Sequence, residues 1–574
     1  MCVLFKRQKR IEGEKVIDLV LTNKTIGECL KDQARRRPDS IALEFEEELF
    51  TWNDLEILSD RVAIALLKKG IRKGSHVGIW SVNSPNWIFT FFGLSKLGAV
   101  PVLLNTCYKE VEMADVLASA DIEFLCYGDG YKDINYDDIL QKISPEILPS
   151  REKCISIGRC HDGSWNGLRE YSNSTRDEKD NLHLAMGALC SDDIAAILFT
   201  SGTSKTPKGV MLSHYSLVNN ALEISTSMRW TCRDKMCIAV PMYHCFGITA
   251  SLLVAVHTGC TMHLLKYYRT AQVFEKIQKH RCTILNGVPS MFLAIIHNEK
   301  RKAYDLTSIQ SGIMAGSQIS PCEYLRVCET LGIEHLQTSF GQTEASPCIT
   351  ISEYDDSLVI KSQTAGRKLG NVKLRIFDKE TAKVLPAGAI GEIQTSGYHV
   401  MKGYYGMPEE TKAVLDDGWL STGDLGWLDE KGYLHVTGRM REMIIRGGEN
   451  ISPAEIEGCM CGFPNIKNIK VIGIKADVLQ EEIAACIVSA DGKAIDEKAL
   501  RAFVKSRLSD YKVPKYILQF ISLPFNASGK VVLKEMKLAA LGRIRELYGE
   551  NVMKQERPIT SGCISETFQK HEGS

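Results

Sequence analysis

Several signatures that would point quickly to a function are missing from this 574-residue sequence. There is no excess of charge of either sign: Lys plus Arg is 70 and Asp plus Glu is 70. That balance gives no support to nucleic acid or an anionic membrane surface as a main partner. No C-x-x-C pair occurs among the nineteen cysteines, which disfavours a zinc ribbon or a thioredoxin-type site. The cysteines are odd in number and scattered, as free thiols of a reducing compartment are, and Cys260 and Cys486 sit inside apolar runs. Neither a G-x-G-x-x-G dinucleotide fingerprint nor a Walker A loop is present.

Uninterrupted apolar runs are also scarce. Ile88 to Asn105 contains Lys96, with Pro101 near its end. Cys237 to Val256 carries no formal charge but contains Pro241, His244 and Gly247. A spanning helix needs about twenty apolar residues. The second run is long enough, yet its interior residues fit a buried strand, a turn and a core helix better. No membrane span is therefore expected. At the N-terminus Lys6, Arg7, Lys9 and Arg10 are followed closely by Glu12, Glu14 and Asp18. This start is short for a mitochondrial transit peptide and holds no signal-peptide core. The final residues, His571 to Ser574, are not a peroxisomal address.

What is present is an ordinary globular composition, 44% apolar and 24% charged, in a chain too long for one compact core. Thr51 with Asp54 three residues on forms a helix start, Leu55, Leu58, Val62 and Leu66 share a face, and Gly70 closes the helix. The strand candidates Val77–Trp80, Val100–Leu104 and Ile122–Cys126 alternate with helical runs, one of them near 111–120. Such alternation implies a parallel α/β architecture. From about Gly388 the texture changes to short alternating strands, Gly391–Thr395 and Tyr433–Thr437. Strands over 469–488 and a helix near 498–508 then suggest a small α+β domain, and the chain after about Tyr548 is polar.

Behind the apolar run Ile194–Phe199 comes Thr200-Ser201-Gly202-Thr203-Ser204-Lys205-Thr206-Pro207-Lys208-Gly209. Small hydroxyl residues and glycines let backbone N–H groups approach phosphate oxygens, and two lysines add charge. Pro207 stands where a Walker A loop needs its second glycine. On its own the segment also reads as a polar surface loop. Further on come Ala315-Gly316-Ser317, Phe340-Gly341-Gln342-Thr343-Glu344, Ser421-Thr422-Gly423-Asp424, Gly438-Arg439-Met440-Arg441-Glu442, Arg446-Gly447-Gly448-Glu449-Asn450 and Asn526-Ala527-Ser528-Gly529-Lys530. Each of the shorter motifs alone is adequately explained as a turn or a helix start, whereas the whole string from Gly438 on is too specific to arise by chance.

Together and in this order they resemble the adenylate-forming superfamily, which includes acyl-CoA synthetases, over roughly residues 25 to 545. The phosphate loop of that family usually reads T-S-G-T-T-G-x-P-K-G; here Lys205 stands at the sixth position, where the family has glycine. The phrases Leu212-Ser213-His214-Tyr215, Tyr243-His244-Cys245 and Lys512-Val513-Pro514-Lys515-Tyr516 look like the medium-chain mitochondrial branch, acyl-CoA synthetase family member two.

The resemblance implies a large α/β N-terminal domain with parallel and mixed sheets and a small mobile α+β C-terminal domain. The expected boundaries are a tail over 1–24, an AMP-binding domain over 25–438, the mobile domain over 439–545 and a polar tail over 546–574. It implies ATP binding by Thr200, Ser201, Gly202, Thr203, Ser204, Lys205 and Lys208, with Gly316 and Phe340 at adenine, Thr343 at the α-phosphate, Asp424 at ribose and Arg439 at the nucleotide. Glu344 is expected to hold Mg²⁺, and a hard cation does want carboxylate oxygen. Lys530, Thr343 and Lys208 are the expected catalytic residues, with Lys530 bridging carboxylate and ATP as charge develops. His244 and Gly247 flank the acyl pocket, although a satisfied core histidine is an equal reading of His244. Arg441 takes the hinge position and Gly448 borders the coenzyme A tunnel.

The implied activity is an AMP-forming acid–CoA ligase acting on a small-molecule carboxylic acid, ATP and coenzyme A, mitochondrial by resemblance or else cytoplasmic. Two other readings remain open: an adenylating enzyme with a different acyl acceptor, and a non-catalytic nucleotide-binding descendant. Chain length of the acid and oligomeric state are not written in the sequence.

Overall fold

The computed structural model describes residues 19–158, 175–200, 207–439, 442–446, 449–476, 480–508, 510–526 and 530–548. The chain forms two compact units, Met1–Arg441 with Ala527–Lys530, and Glu442–Asn526 with Val531–Ser574.

The larger unit is built on three sheets. In the seven-stranded one, Cys154–Ser156, Phe124–Tyr127, His76–Trp80, Val100–Leu103 and Ile194–Thr200 run parallel, and Lys208–Ser213 and Gly403–Tyr404 close one edge antiparallel. The nine-stranded sheet has a parallel centre from Ile41–Phe45 through Thr261–Leu264, Lys235–Ile238, Ile284–Leu285 and Ser311–Met314 to His335–Gly341, with antiparallel strands at both edges. The third is antiparallel and includes Lys373–Asp378, Gly391–Ser396, Trp419–Leu428 and Leu434–Arg439. Alternation of helix and strand in the sequence thus does give parallel sheets. Strand limits differ from the apolar runs by a residue or two, because pairing and not hydropathy ends a strand.

Local signals explain how the elements start and stop. Trp52–Lys68 begins with a reciprocal capping box between Thr51 and Asp54, and Gly70 follows it at φ +96°. The apolar run that begins at Ile88 is not a span. It is the helix Pro85–Leu97, capped by Ser84, ended by Gly98 at φ +67° and buried over all 13 residues, followed by the strand Val100–Leu103. Lys96 inside it is fully buried, and its ammonium donates to Glu56 (2.8 Å) and Asp60 (2.6 Å) on the neighbouring helix. A buried charge is tolerable when paired in this way. The second run resolves into the strand Lys235–Ile238, a turn, a π-helical stretch Ile248–Leu253 and the helix Val254–Thr258. Among the described residues no helix is long and apolar enough to cross a membrane.

The smaller unit has a sheet of Ile444–Arg446, Glu449–Ile451, Ile466–Ala476, Gln480–Ser489 and Tyr516–Gln519. Its faces carry separate apolar clusters, one around Ile456, Ile483, Leu500 and Val504, the other around Ile472, Leu518, Met536 and Ile544. The helices Pro453–Met460 and Glu497–Lys505 supply the first and Leu533–Tyr548 the second. This is the α+β pattern that the sequence of 469–508 suggests.

His214 is fully buried at the start of the helix His214–Ser227, where its Nδ1 accepts the Ile26 N–H at 3.2 Å. Burial pushes its pKa down from 6.5 to about 4. The unfolded chain therefore takes up the proton first on acidification, so the stability contributed is present above about pH 6.5 and is lost as pH falls toward 4. Glu44, lowered to about 2, acts only below its unfolded value of 4.5, so it adds nothing to the slope between 6.5 and 4.5. His214→Asn keeps an acceptor without the titration. Its urea midpoint is expected to fall less steeply than wild type across that interval, and parallel curves would refute the assignment.

Candidate functional site

Thr200 and Lys208 face each other as register partners at the ends of two antiparallel strands, so the glycine- and hydroxyl-rich segment between them closes a hairpin. Ser201, Gly202, Thr203, Ser204 and Lys205 lie outside the described residues, as do Arg441 and Gly448. The Lys208 ammonium sits 4.8 Å from the centre of the Tyr404 ring. Tyr404 reaches it because Val210, two residues beyond Lys208, pairs with Tyr404 in the adjoining strand. The phenol hydroxyl in turn donates to Oε1 of Glu344 at 2.9 Å, and the backbone N–H of Met401 bonds the Glu344 carbonyl at 2.9 Å. Lys208, expected at phosphate, and Glu344, expected at Mg²⁺, thus meet across one aromatic ring.

Thr343 opens the short turn Thr343–Ala345 after the strand His335–Gly341. Its hydroxyl lies 3.7 Å from the Cys245 sulfur, which is itself 3.7 Å from Nδ1 of His244. His244 caps its own turn by accepting the Phe246 N–H at 3.2 Å. Burial, and then the Lys530 ammonium, lower its pKa from 6.5 to about 4, so the imidazole is neutral at physiological pH. Burial pushes the Cys245 thiol up to about 12, which removes it as a nucleophile.

Phe340 is partly buried against Ile376, Ile393 and Leu434 of the antiparallel sheet. The next residue must be glycine, because a Cβ on Gly341 would lie 1.8 Å from the Pro347 carbonyl oxygen. Gly316 follows the strand Ser311–Met314 at φ +93°. Nearby Gln318 donates to the Val436 carbonyl at 3.1 Å, tying this turn to the strand Leu434–Arg439. On that strand Arg439 pairs in register with Asp424 and donates through Nε to its carboxylate at 3.1 Å. Thr422 accepts the Asp424 N–H (3.1 Å) and donates to the Ile393 carbonyl (2.7 Å), which fixes the turn that presents the aspartate.

Beside these residues lies a cavity of about 180 Å³, lined among others by Thr106, Tyr131, Tyr243, Lys266, Val288 and Met291. These positions follow the C-terminal ends of parallel strands from both large sheets, the place where open α/β sheets bind ligands. Tyr243 and not its neighbour His244 lines it. At Gly247 a Cβ would lie 2.1 Å from the Pro241 carbonyl oxygen, so its glycine serves a close backbone approach. Tyr404 carries no motif signal of its own and is brought here by strand pairing, while Tyr243 is placed by the turn that follows the strand Lys235–Ile238.

Two family models match the chain: AMP-binding enzyme over residues 30–405 and AMP-binding enzyme C-terminal domain over residues 455–530. The chain belongs to the AMP-binding enzymes. It is an adenylate-forming ligase of the acyl-CoA synthetase type, a family that uses ATP and coenzyme A. It is 36% identical over 530 residues to the putative acyl-CoA synthetase YngI of Bacillus subtilis (strain 168), covering 89% of this chain and 96% of that one. The mitochondrial medium-chain acyl-CoA ligase ACSF2 of Homo sapiens is 32% identical over 534 residues, covering 89% of this chain and 86% of that protein. The structure of ATP-bound MatB from Rhodopseudomonas palustris superposes with a TM-score of 0.77 at 26% identity, over 93% of this chain and 100% of that one. MenE of Bacillus subtilis with its acyl-adenylate intermediate gives 0.74 at 26%, over 90% and 99%. The adenylate-forming fold read from the motifs is therefore the fold of this enzyme.

A second cluster was not legible in the sequence. Glu44 and His263 are register partners on adjacent strands, and with His280 they bring one ligand atom each within 4.8 Å of one another. Lys276 already supplies the cation there, at 2.9 Å from Glu44 Oε2, so the cluster is a buried ion pair with two stacked imidazoles.

Gly247→Ala is expected to cost about 1–3 kcal/mol through backbone overlap, read as a lower urea midpoint. Gly187→Ala, where nothing lies within 4 Å, serves as the neutral control. Equal midpoints for the two variants would disprove the close approach.

Proposed function

We propose that this enzyme activates a medium-chain carboxylic acid as its acyl-adenylate and transfers the acyl group to coenzyme A. The observation that carries the reading is the convergence of Lys208, Thr343, Glu344 and His244 through Tyr404 and Cys245, beside a cavity walled by Tyr243, Val288 and Met291.

In the first half-reaction a carboxylate oxygen attacks the α-phosphorus of ATP, the new O–P bond forms, and pyrophosphate leaves. Lys208 and the hairpin 200–209 hold the phosphates, and Thr343 donates to the α-phosphate. Phe340 packs against adenine beside the Gly316 turn. Asp424 accepts from the ribose hydroxyls, and Arg439, its neighbour across the hairpin, steadies the nucleotide. The Glu344 carboxylate is a hard oxygen donor of the kind that suits Mg²⁺. Bound there, the ion would screen phosphate charge. The neutral His244 borders the acid without repelling or trapping a proton. Lys530 stabilises the charge that develops between the two substrates.

In the second half-reaction the coenzyme A thiolate attacks the acyl carbon and AMP departs. Arg441 serves as hinge and Gly448 borders the thiol's approach. Cys245 is a protonated thiol, so no acyl-enzyme is required. Medium chain length and mitochondrial placement rest on likeness to the ACSF2 ligases.

Pyrophosphate release over a series of short, medium, long and aromatic acids tests the substrate. A maximum at medium length is expected, and a maximum with aromatic acids would replace this reading. Lys530→Ala is expected to lower acyl-AMP formation about a hundredfold or more, as loss of a transition-state charge does. The same variant should leave thioester formation from supplied acyl-AMP near wild type; equal loss in both half-reactions counts against the assignment.

A further inference from the structure

Tyr404 is buried, with 7% of its surface exposed, and its backbone is held on two sides. Its N–H bonds the Thr411 hydroxyl at 2.9 Å, and the following N–H of Tyr405 bonds the Gly209 carbonyl at 2.8 Å. The preceding Gly403, at φ +136°, has no room for a Cβ, which would lie 2.9 Å from a Thr411 methyl group. The ring is therefore set in place by Thr411 on one side and by the strand Lys208–Ser213 on the other.

A buried tyrosine needs a partner for its hydroxyl, and any backbone carbonyl would serve. Here the hydroxyl engages the Glu344 carboxylate at 2.9 Å, while the ring lies 4.8 Å from the Lys208 ammonium. A direct ion pair between the Lys208 ammonium and the Glu344 carboxylate is the competing arrangement. That pairing would neutralise the charge on each that a phosphate and a cation need. Among the described residues no ion pair joins Lys208 to Glu344; the aromatic ring stands between them.

We propose that Tyr404 is a positioning residue for adenylation, holding the Lys208 ammonium on its ring and the Glu344 carboxylate on its hydroxyl so that the two charges face substrate and not each other. The hydroxyl restricts rotation of the carboxylate, because a charge-assisted hydrogen bond to one oxygen orients both. The ring attracts the ammonium through its quadrupole without neutralising it. This rests on the roles given above to Lys208 and Glu344.

Two variants separate the functions. Tyr404→Phe keeps the ring and removes the hydroxyl; Tyr404→Leu removes both. Acid-dependent ATP–pyrophosphate exchange is measured against Mg²⁺ concentration and against ATP concentration. Tyr404→Phe is expected to need about tenfold more Mg²⁺ for half-maximal exchange, the size of one lost hydrogen bond to a charged group. Its ATP KM and its unfolding temperature should stay near wild type. Tyr404→Leu should add a rise in ATP KM of several-fold, on the order of a lost cation–π contact, that Mg²⁺ does not reverse. In a Glu344→Gln background Tyr404→Phe should change nothing further. A wild-type Mg²⁺ response for Tyr404→Phe, or the same loss in both backgrounds, overturns the proposal. If Glu344→Gln alone responds to Mg²⁺ as wild type does, the metal role of Glu344 fails first and the role of the phenol falls with it.

Discussion

The candidate site depends on one short strand pairing. Val210 and Met211 face Tyr404 and Gly403 across an antiparallel ladder, almost two hundred residues apart in sequence. That ladder closes the edge of the seven-stranded sheet, and it carries the strand that begins at Lys208 on one side and the buried phenol on the other. The N–H of Met401 then bonds the Glu344 carbonyl, joining the same edge to the turn that ends the strand His335–Gly341. Few hydrogen bonds are involved, but each ends on a residue of the site or its neighbour. Edge strands are where sheets tolerate short, irregular partners, and here the irregular partner is also the link between two motifs.

Burial sets the chemistry around this link. His244 and Cys245 are adjacent and both lose their charged forms to desolvation, the histidine to about 4 and the thiol to about 12. The result is a neutral wall beside Thr343, against which the charges of Lys208 and Glu344 stand out. A charged imidazole in that place would compete for the carboxylate substrate, and a thiolate would compete with coenzyme A for the acyl group. Elsewhere burial is offset by pairing: Lys96 by Glu56 and Asp60, Glu44 by Lys276. Those pairs sit between helices or between helix and strand and hold the larger unit together, with no part in the site.

Close backbone approach accounts for two glycines that lie inside motifs. Gly341 sits against the Pro347 carbonyl and Gly247 against the Pro241 carbonyl. Both lie inside motifs, so their presence is explained by chain geometry before any ligand is considered.

The capping box at Thr51, the alternation of helix with buried strand, the strand over Ile194–Phe199 ahead of the Thr200–Gly209 segment and the order of the motifs were all legible in the sequence. Each depends on neighbours within a few residues, or on a local pattern that survives intact in any chain carrying it. They determined the α/β class and the adenylate-forming family. The places of Tyr404 and Tyr243, the pairing of Asp424 with Arg439, and the Glu44–His263 contact were decided only by the tertiary structure. The Tyr404 and Glu44–His263 contacts arise from strand register between segments far apart in the chain, and register is set by pairing energies that no single segment contains; Asp424 meets Arg439 across two neighbouring strands, and Tyr243 is placed by a turn.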